Sequence, residues 1–415
     1  MNERNVLVLA YRFPPMGISG VLRTAKFVKY LCDYGWQPTV LTGTPRTYSA
    51  YDDSLLRDFS ERPIVIERTD SRKEPILAAA SRRSEYSSGL ISQPDAIIRW
   101  KKRALRAAEK IMREKEIHCI FATAPPFSAF IIAKEISEKY KIPYVIDYRE
   151  SWNDNKQRGY RTVFHRSLNE MMESDTLKTA SKVIVCHRLA KERLLMRYRF
   201  MRHEDICIIP SGYDAEDFLP FIAFRPNPDK LTISHCGMFE RDESPRNFLK
   251  AIVKLKKQKP EIENFVELRF IGAMRPSDVK YIKKAGLERM TWLTGYVPHR
   301  EAVGLMAESD VLWFTSRDEF DAPGKIFEYF GAKRPILCLT PENAASRKIA
   351  AETKAVFHAR PNSVKEILAE LKHIVDCWIR GSMPKVNDSL IRNLNYYDLT
   401  ADLSREIAKA SLFRR

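Results

Sequence analysis

The chain has 415 residues and a formal net charge of +17, a length that suits about two domains of ordinary size. No run approaches 18 uncharged apolar residues, so no membrane-spanning helix is expected. Seven dispersed cysteines, with no Cys-x-x-Cys pair, argue against a structural zinc and for a reducing compartment. The charge excess calls for an anionic partner (nucleic acid, anionic lipid or a phosphorylated substrate), the alternative being an idle basic surface.

The residues Val6-Leu-Val-Leu-Ala10 read as a buried strand, apolar on both faces as in parallel sheets. This apolar run is too short for the core of a signal peptide. A turn, Phe13 to Gly20, leads to a helix from Val21 to Tyr34, which Gly35 ends. Pro38 to Thr42 is the next strand. The resulting β-α-β unit has a Gly-containing loop at a strand's carboxyl end, where open α/β sheets bind ligands. Residues 44–95 read as loops around one or two short elements, and strands follow at 117–123, 143–147 and 182–186.

A second block starts after Ile206-Cys-Ile-Ile-Pro210. Strands are expected at 232–234, 268–272, 291–294 and 311–315. Helices are expected at 246–257, 276–285 and 299–308, with a last one from Leu399 to Leu412. Pro220, Pro226 and Pro228 mark 214–229 as the linker. The pattern is two doubly wound α/β domains, 1–218 and 226–395, with 398–415 crossing back to the first. A cleft between two such domains is a common ligand site.

Gly17-x-x-Gly20 is not the Gly-x-Gly-x-x-Gly of dinucleotide binders, and no Gly-x4-Gly-Lys-[Ser/Thr] loop, Asp-x-Asp or His-Glu-x-x-His occurs. A metal-centred mechanism therefore has no support in the sequence. Three strand-to-helix loops carry the chemistry instead. Gly237 precedes Arg241 and Arg246, with Ser244-Pro245 opening a helix, and a helix N-terminus beside an Arg suits an anion. Gly295-Tyr296-Val297, just past a strand, offers backbone against which a planar base can lie. Gly324-Lys325-x-x-Glu328 puts a cation and a carboxylate on one helical face, for a phosphate and a vicinal diol. The plain alternative for Lys325 and Glu328 is a solvated i,i+3 ion pair. Three such loops on one sheet edge favour a nucleoside-diphosphate site.

The sequence resembles the glycosyltransferase family 4 enzymes of GT-B fold, nearly end to end and closest to the bacterial surface-polysaccharide members. The residues that carry this are Ala10 to Gly20 with Arg23, Ala124-Pro-Pro-Phe127, Asp147-Tyr-Arg-Glu-Ser-Trp152, Ile209 to Asp214, Ser244 to Phe248, Gly295-Tyr-Val297 and Gly324-Lys-x-x-Glu-Tyr329. The resemblance implies two Rossmann-like domains facing each other across a cleft, the first for an acceptor and the second for a nucleotide sugar. It implies retaining transfer without a metal or other cofactor. Arg246 and Lys325 would hold the diphosphate and Glu328 the ribose, and Gly17 to Gly20 would approach the phosphates from the other domain. Asp147 and Arg149 are assigned to acceptor or sugar positioning, the alternative being an internal ion pair. One departure stands out. Eight residues before Glu328, where many members have a second glutamate, this chain has Phe320, flanked by Asp318, Glu319 and Asp321.

The stretch Arg99 to Lys115 is dense in cations, with Ile97, Trp100, Ala104, Ala108 and Ile111 at helical spacing. A second cluster, Arg193 to Arg202, holds Leu194, Leu195, Tyr198 and Phe200. The bland reading is two solvated helix faces. The sharper one is contact with anionic headgroups, because acceptors in these pathways are often polyprenyl-diphosphate lipids. That puts the protein on the inner face of the cell membrane, acting on a glycan or lipid-linked acceptor. Nucleic acid is disfavoured, since no recognised motif appears. His118 and His187 read as core or edge residues. A nucleotide-sugar epimerase and a non-catalytic nucleotide-sugar or lipid-binding protein remain the alternatives.

Overall fold

A computed structural model describes residues 4–44, 50–69, 93–154, 160, 162–239, 243–317 and 324–412. The chain divides into two units. One runs to Ser211 and takes in the terminal helix from Tyr396, and the other is Gly212–Asn395.

In the first unit, seven strands form one parallel sheet. They are β1 (Arg4–Leu9), β2 (Trp36–Gly43), β3 (Val65–Thr69), β4 (Cys119–Ala124), β5 (Tyr144–Tyr148), β6 (Lys182–Val185) and β7 (Ile206–Ile208). Their spatial order is β3-β2-β1-β4-β5-β6-β7. Strand β3 lies in the stretch expected to be loops around one or two short elements, and its half-exposed residues give too little apolar signal to place it. In β1 the period of two divides the side chains between two cores. Leu7 and Leu9 join Trp100, Ala104 and Phe130 on one face. Val6 and Val8 join Phe27 and the terminal helix on the other. That helix, Tyr396–Leu412, begins three residues before the expected Leu399 and buries Leu399, Leu403 and Ile407. Trp36 Nε1 donates to its Ser404 at 3.0 Å.

The second unit has six parallel strands: β8 (Leu231–Cys236), β9 (Val266–Ile271), β10 (Thr291–Gly295), β11 (Val311–Thr315), β12 (Ile336–Leu339) and β13 (Val356–Ala359). Their order is β10-β9-β8-β11-β12-β13. The winding therefore reverses between β8 and β11, the crevice where doubly wound sheets bind ligands. Residues Ala215–Phe218 are helical and Leu219–Phe221 form a 3-10 turn. Both pack within this unit through glycines. A Cβ on Gly331 would sit 2.3 Å from the Phe218 ring, and one on Gly304 would sit 2.9 Å from Phe221.

Candidate functional site

Three glycines end β8, β9 and β10 in positive φ: Gly237 (+106°), Gly272 (+128°) and Gly295 (+70°). The first two approach closely. A Cβ on Gly272 would lie 3.1 Å from the Gly237 backbone, whose N–H donates to Ile271 O at 2.6 Å. Only a residue without Cβ fits both this contact and these angles. The close approach leaves a shallow backbone floor beside the switch point.

Lys325 lies over that floor. A Cβ on Gly237 would fall 2.1 Å from the Lys325 ammonium. Lys325 opens the helix Lys325–Ala332, with the exposed Gly324 just before it. The helix is anchored underneath by Tyr329, whose hydroxyl accepts from Cys236 N at 3.0 Å and donates to Trp313 O at 3.1 Å. Burial drives the Tyr329 pKa far up, so it stays a neutral donor. Among the described residues Lys325 makes no hydrogen bond or ion pair. The i,i+3 pair does not form, because Glu328 turns to His299, with Oε1 2.8 Å from Nε2. The second imidazole nitrogen of His299 is 3.9 Å from Asp217.

Beneath Lys325, His235 is buried and stacks on Phe239 with 4.2 Å between ring centroids. Its Nδ1 lies 3.1 Å from Trp313 O. Burial, and after it the Lys325 charge, holds its pKa well below the usual imidazole range. The ring is therefore neutral, with a proton on Nδ1 facing that carbonyl.

Arg246 begins the helix Arg246–Gln258, where the Ser244 hydroxyl accepts its N–H at 3.2 Å. Its guanidinium turns to the helix Pro276–Lys284: Nε is 3.5 Å from the buried Asp278, and Nη2 donates to Ser277 O at 3.3 Å. Arg275 holds the same carboxylate at 2.8 Å. Tyr296 is exposed, and Val297 packs on the core below the helix at 325. Arg241, Phe320, Asp318, Glu319 and Asp321 lie outside the described residues.

In the first unit, Asp147 is fully buried at the end of β5. Its partner is Arg23, with Nη2 at 2.8 Å and Nε at 3.2 and 3.1 Å from the two oxygens. Thr123 donates a further bond at 3.0 Å. Burial is the largest single effect and would lower the Arg23 pKa, but the Asp147 charge and hydrogen bond, together with Cys186 and Tyr396, outweigh it and hold the guanidinium charged. Arg23 also donates to Ile209 O and Pro210 O at 2.9 and 2.6 Å, tying the start of the chain to the end of the unit. The ion pair thus exists, but with Arg23 and not Arg149. Arg149 donates to the carbonyls of Gly20, Ala124 and Pro125. Burial lowers its pKa. It braces the Gly20 turn against β4 and its following loop. Gly17 N donates to Ala50 O at 3.0 Å, which fixes the other end of that turn. His118 Nδ1 accepts from Asn5 N, and His187 Nδ1 caps a helix by accepting from Ala190 N.

The cationic helix is a domain helix. It is Lys101–Glu114, with Ala104, Ala108 and Ile111 buried. Lys101 and Arg113 pair with Glu135 and Glu109 at 2.5 and 2.9 Å. In the second cluster, Arg197 pairs with Asp154 and Glu170, and Tyr198 is buried. Sequence reading missed Val163 and Phe164, 81% and 72% exposed at the start of the helix Val163–Thr179. It also missed His299 and Asp217. His299 follows Gly295-Tyr-Val-Pro298, a signal within reach, whereas nothing local marks Asp217.

Residues 22–217 match the family described as Glycosyltransferase Family 4. No curated protein matches the chain. Among solved structures, sucrose-phosphate synthase from Thermosynechococcus elongatus is similar at 12% identity, with a TM-score of 0.70 and 98% of each chain covered. A glycosyltransferase from Rickettsia africae is similar at 16% identity, with a TM-score of 0.67 and 99% of this chain and 100% of that one covered. HepE from Anabaena, in complex with UDP and glucose, is similar at 13% identity, with a TM-score of 0.66 and 98% and 100% covered. Residues 22–217 are thus similar to glycosyltransferase family 4, and the two parallel α/β units of the chain have the GT-B fold of these neighbours.

Proposed function

We propose that this protein moves a sugar, with retention of configuration, from a nucleotide-diphosphate sugar to a glycan or polyprenyl-diphosphate-linked acceptor in cell-surface polysaccharide synthesis. The observation that carries the donor half is Lys325. It is an ammonium with no partner among the described residues, set over the Gly237 backbone at a sheet's topological switch point. A cation left in that position suits a diphosphate. Glu328, one turn on, takes the ribose diol. Among the described residues Arg246 Nη1 has no hydrogen-bond partner while Nε and Nη2 face Asp278 and Ser277, so it can add a bond to the phosphates. Gly324, Tyr296 and Val297 lie on the adjoining loops, where a base would rest. Gly17 and Gly20 belong to a turn that Arg149 braces, with Asp147 acting through Arg23. HepE binding UDP and UDP-glucose on a similar fold supports this choice of donor class.

The chemistry asks for cations and amide dipoles aimed at the leaving diphosphate, and Lys325 and Arg246 supply charge without a resident metal. Retaining transfer can proceed on one face of the sugar, the departing phosphate taking the acceptor's proton, so paired carboxylates of the glycosidase kind are not needed. The net charge of +17 and the exposed Val163 and Phe164 support peripheral contact with an anionic membrane.

The test is incubation with UDP-, GDP-, ADP- and dTDP-sugars and lipid-diphosphate acceptors. Nucleoside diphosphate should be released, with the donor's anomeric configuration kept and no loss of rate in a chelator. A panel in which no donor binds overturns the proposal. A new sugar product formed without acceptor makes the protein an epimerase.

A further inference from the structure

The pair His299–Glu328 has a consequence for donor recognition. His299 is the first residue of the helix His299–Ala307, just past β10. Its Nε2 is 2.8 Å from Glu328 Oε1, and its Nδ1 is 3.9 Å from Asp217 Oδ2. A carboxylate only accepts, so Nε2 carries a proton and donates. The three side chains are 15%, 16% and 19% exposed, sheltered enough to order yet still reached by solvent. Asp217 is placed by its neighbours, since Phe218 and Phe221 wedge against Gly331 and Gly304.

We propose that His299 is a positioning residue for ribose selection. It holds the Glu328 carboxylate in the orientation that accepts a vicinal diol, and the Asp217 charge, 3.9 Å from Nδ1, biases the ring without a hydrogen bond. The inference rests on the ribose role of Glu328. An ionised carboxylate has about four lone-pair sites. The histidine occupies one on Oε1 and leaves Oε2 and the rest of Oε1 for two hydroxyls. A free glutamate would pay side-chain entropy each time a ligand bound, whereas a pinned one has lost it on folding. At 3.9 Å from Nδ1, Asp217 Oδ2 is too far for a hydrogen bond, so that carboxylate acts on the ring through its charge and not as a proton-relay partner.

The experiment measures binding of UDP, ADP and GDP, each against its 2′-deoxy and 3′-deoxy forms, to the wild-type chain and its variants. Wild type should prefer the ribonucleotide by about tenfold or more, the scale of a hydrogen bond to a charged group. Glu328→Ala should bring that preference close to one. His299→Ala should cut it by about threefold or more while leaving affinity for the deoxy forms unchanged. His299→Gln, whose amide nitrogen can donate from nearly the same place, should restore most of it, and Asp217→Asn should fall between. Thermal melts identify any variant that fails to fold, and the glutamine variant then decides. If His299→Ala and His299→Gln both keep the wild-type preference while Glu328→Ala loses it, the positioning role is overturned and the ribose role stands. If Glu328→Ala also keeps it, the ribose role falls and the inference with it.

Discussion

Lys325 is partly buried and has no partner among the described residues, so removing it costs little stability and much donor affinity. Lys325→Ala should weaken nucleoside-diphosphate binding by about tenfold or more and leave the melting temperature unchanged or higher, as calorimetric titration and a thermal melt will show. Gly237 is the complementary case. Its φ of +106° makes Gly237→Ala cost about 1–3 kcal/mol in backbone strain, while the Lys325 ammonium, 2.1 Å from a Cβ, is the end of a flexible side chain that can move aside cheaply. The double variant with Lys325→Ala should therefore recover little of the loss, and a double-mutant cycle measures that coupling. Asp147→Ala leaves Arg23 charged and buried, so it should lose about 3–5 kcal/mol in denaturant unfolding. Replacing both partners, Arg23→Met with Asp147→Leu, should lose less.

At the scale of elements, the helix Val163–Thr179 is bound to its surroundings by a buried acid. Glu173 accepts from Tyr198 at 2.7 Å and from Tyr148 and Asn153, joining the helix to β5, the loop after it and the residue following the helix Arg188–Arg197. Burial pushes its pKa up to about 7, against the lowering by Tyr198 and Arg197. With an unfolded value near 4.5, the folded chain binds the extra proton between these limits. Stability from this group is full below about pH 4.5 and is lost as pH rises through 7, by an amount on the order of 3 kcal/mol. Glu173→Gln should therefore flatten this part of the pH profile, and equal slopes for wild type and variant in urea melts from pH 5 to 8 would remove the assignment. The helix Lys101–Glu114 shows the opposite economy: its apolar stripe is buried, and several of its cations are matched by glutamates nearby.

At the scale of the molecule, the excess of 17 positive charges is too large for those local pairs to absorb. It predicts co-sedimentation with vesicles that contain anionic lipid and release at about 0.5–1 M salt, where the Debye length falls toward 3 Å. Phe164→Asp should weaken that binding beyond the effect of one added charge if the exposed ring enters the interface. No helix among the described residues is long and apolar enough to cross a membrane.

The periodicities of 2 and 3.6, together with glycines and prolines at the right intervals, determine most of the strands and the parallel α/β class, because these patterns are local. They also place Gly237, Gly295 and Gly324-Lys325 in strand-to-helix loops, since ligand loops follow strands in this class. Strand β3 is expected only as a short element without a position, because its residues are only half buried. The pairings are what the tertiary structure decided. Lys325 and Glu328 read as partners three residues apart, yet Glu328 binds a histidine 29 positions away and Lys325 stands over a glycine 88 positions earlier. Asp147 chose Arg23, 124 positions back, over its neighbour Arg149. Sequence spacing fixes which groups share a local face. Which buried charge finds which partner depends on the crossing of strands far apart in the chain, and no local period encodes that.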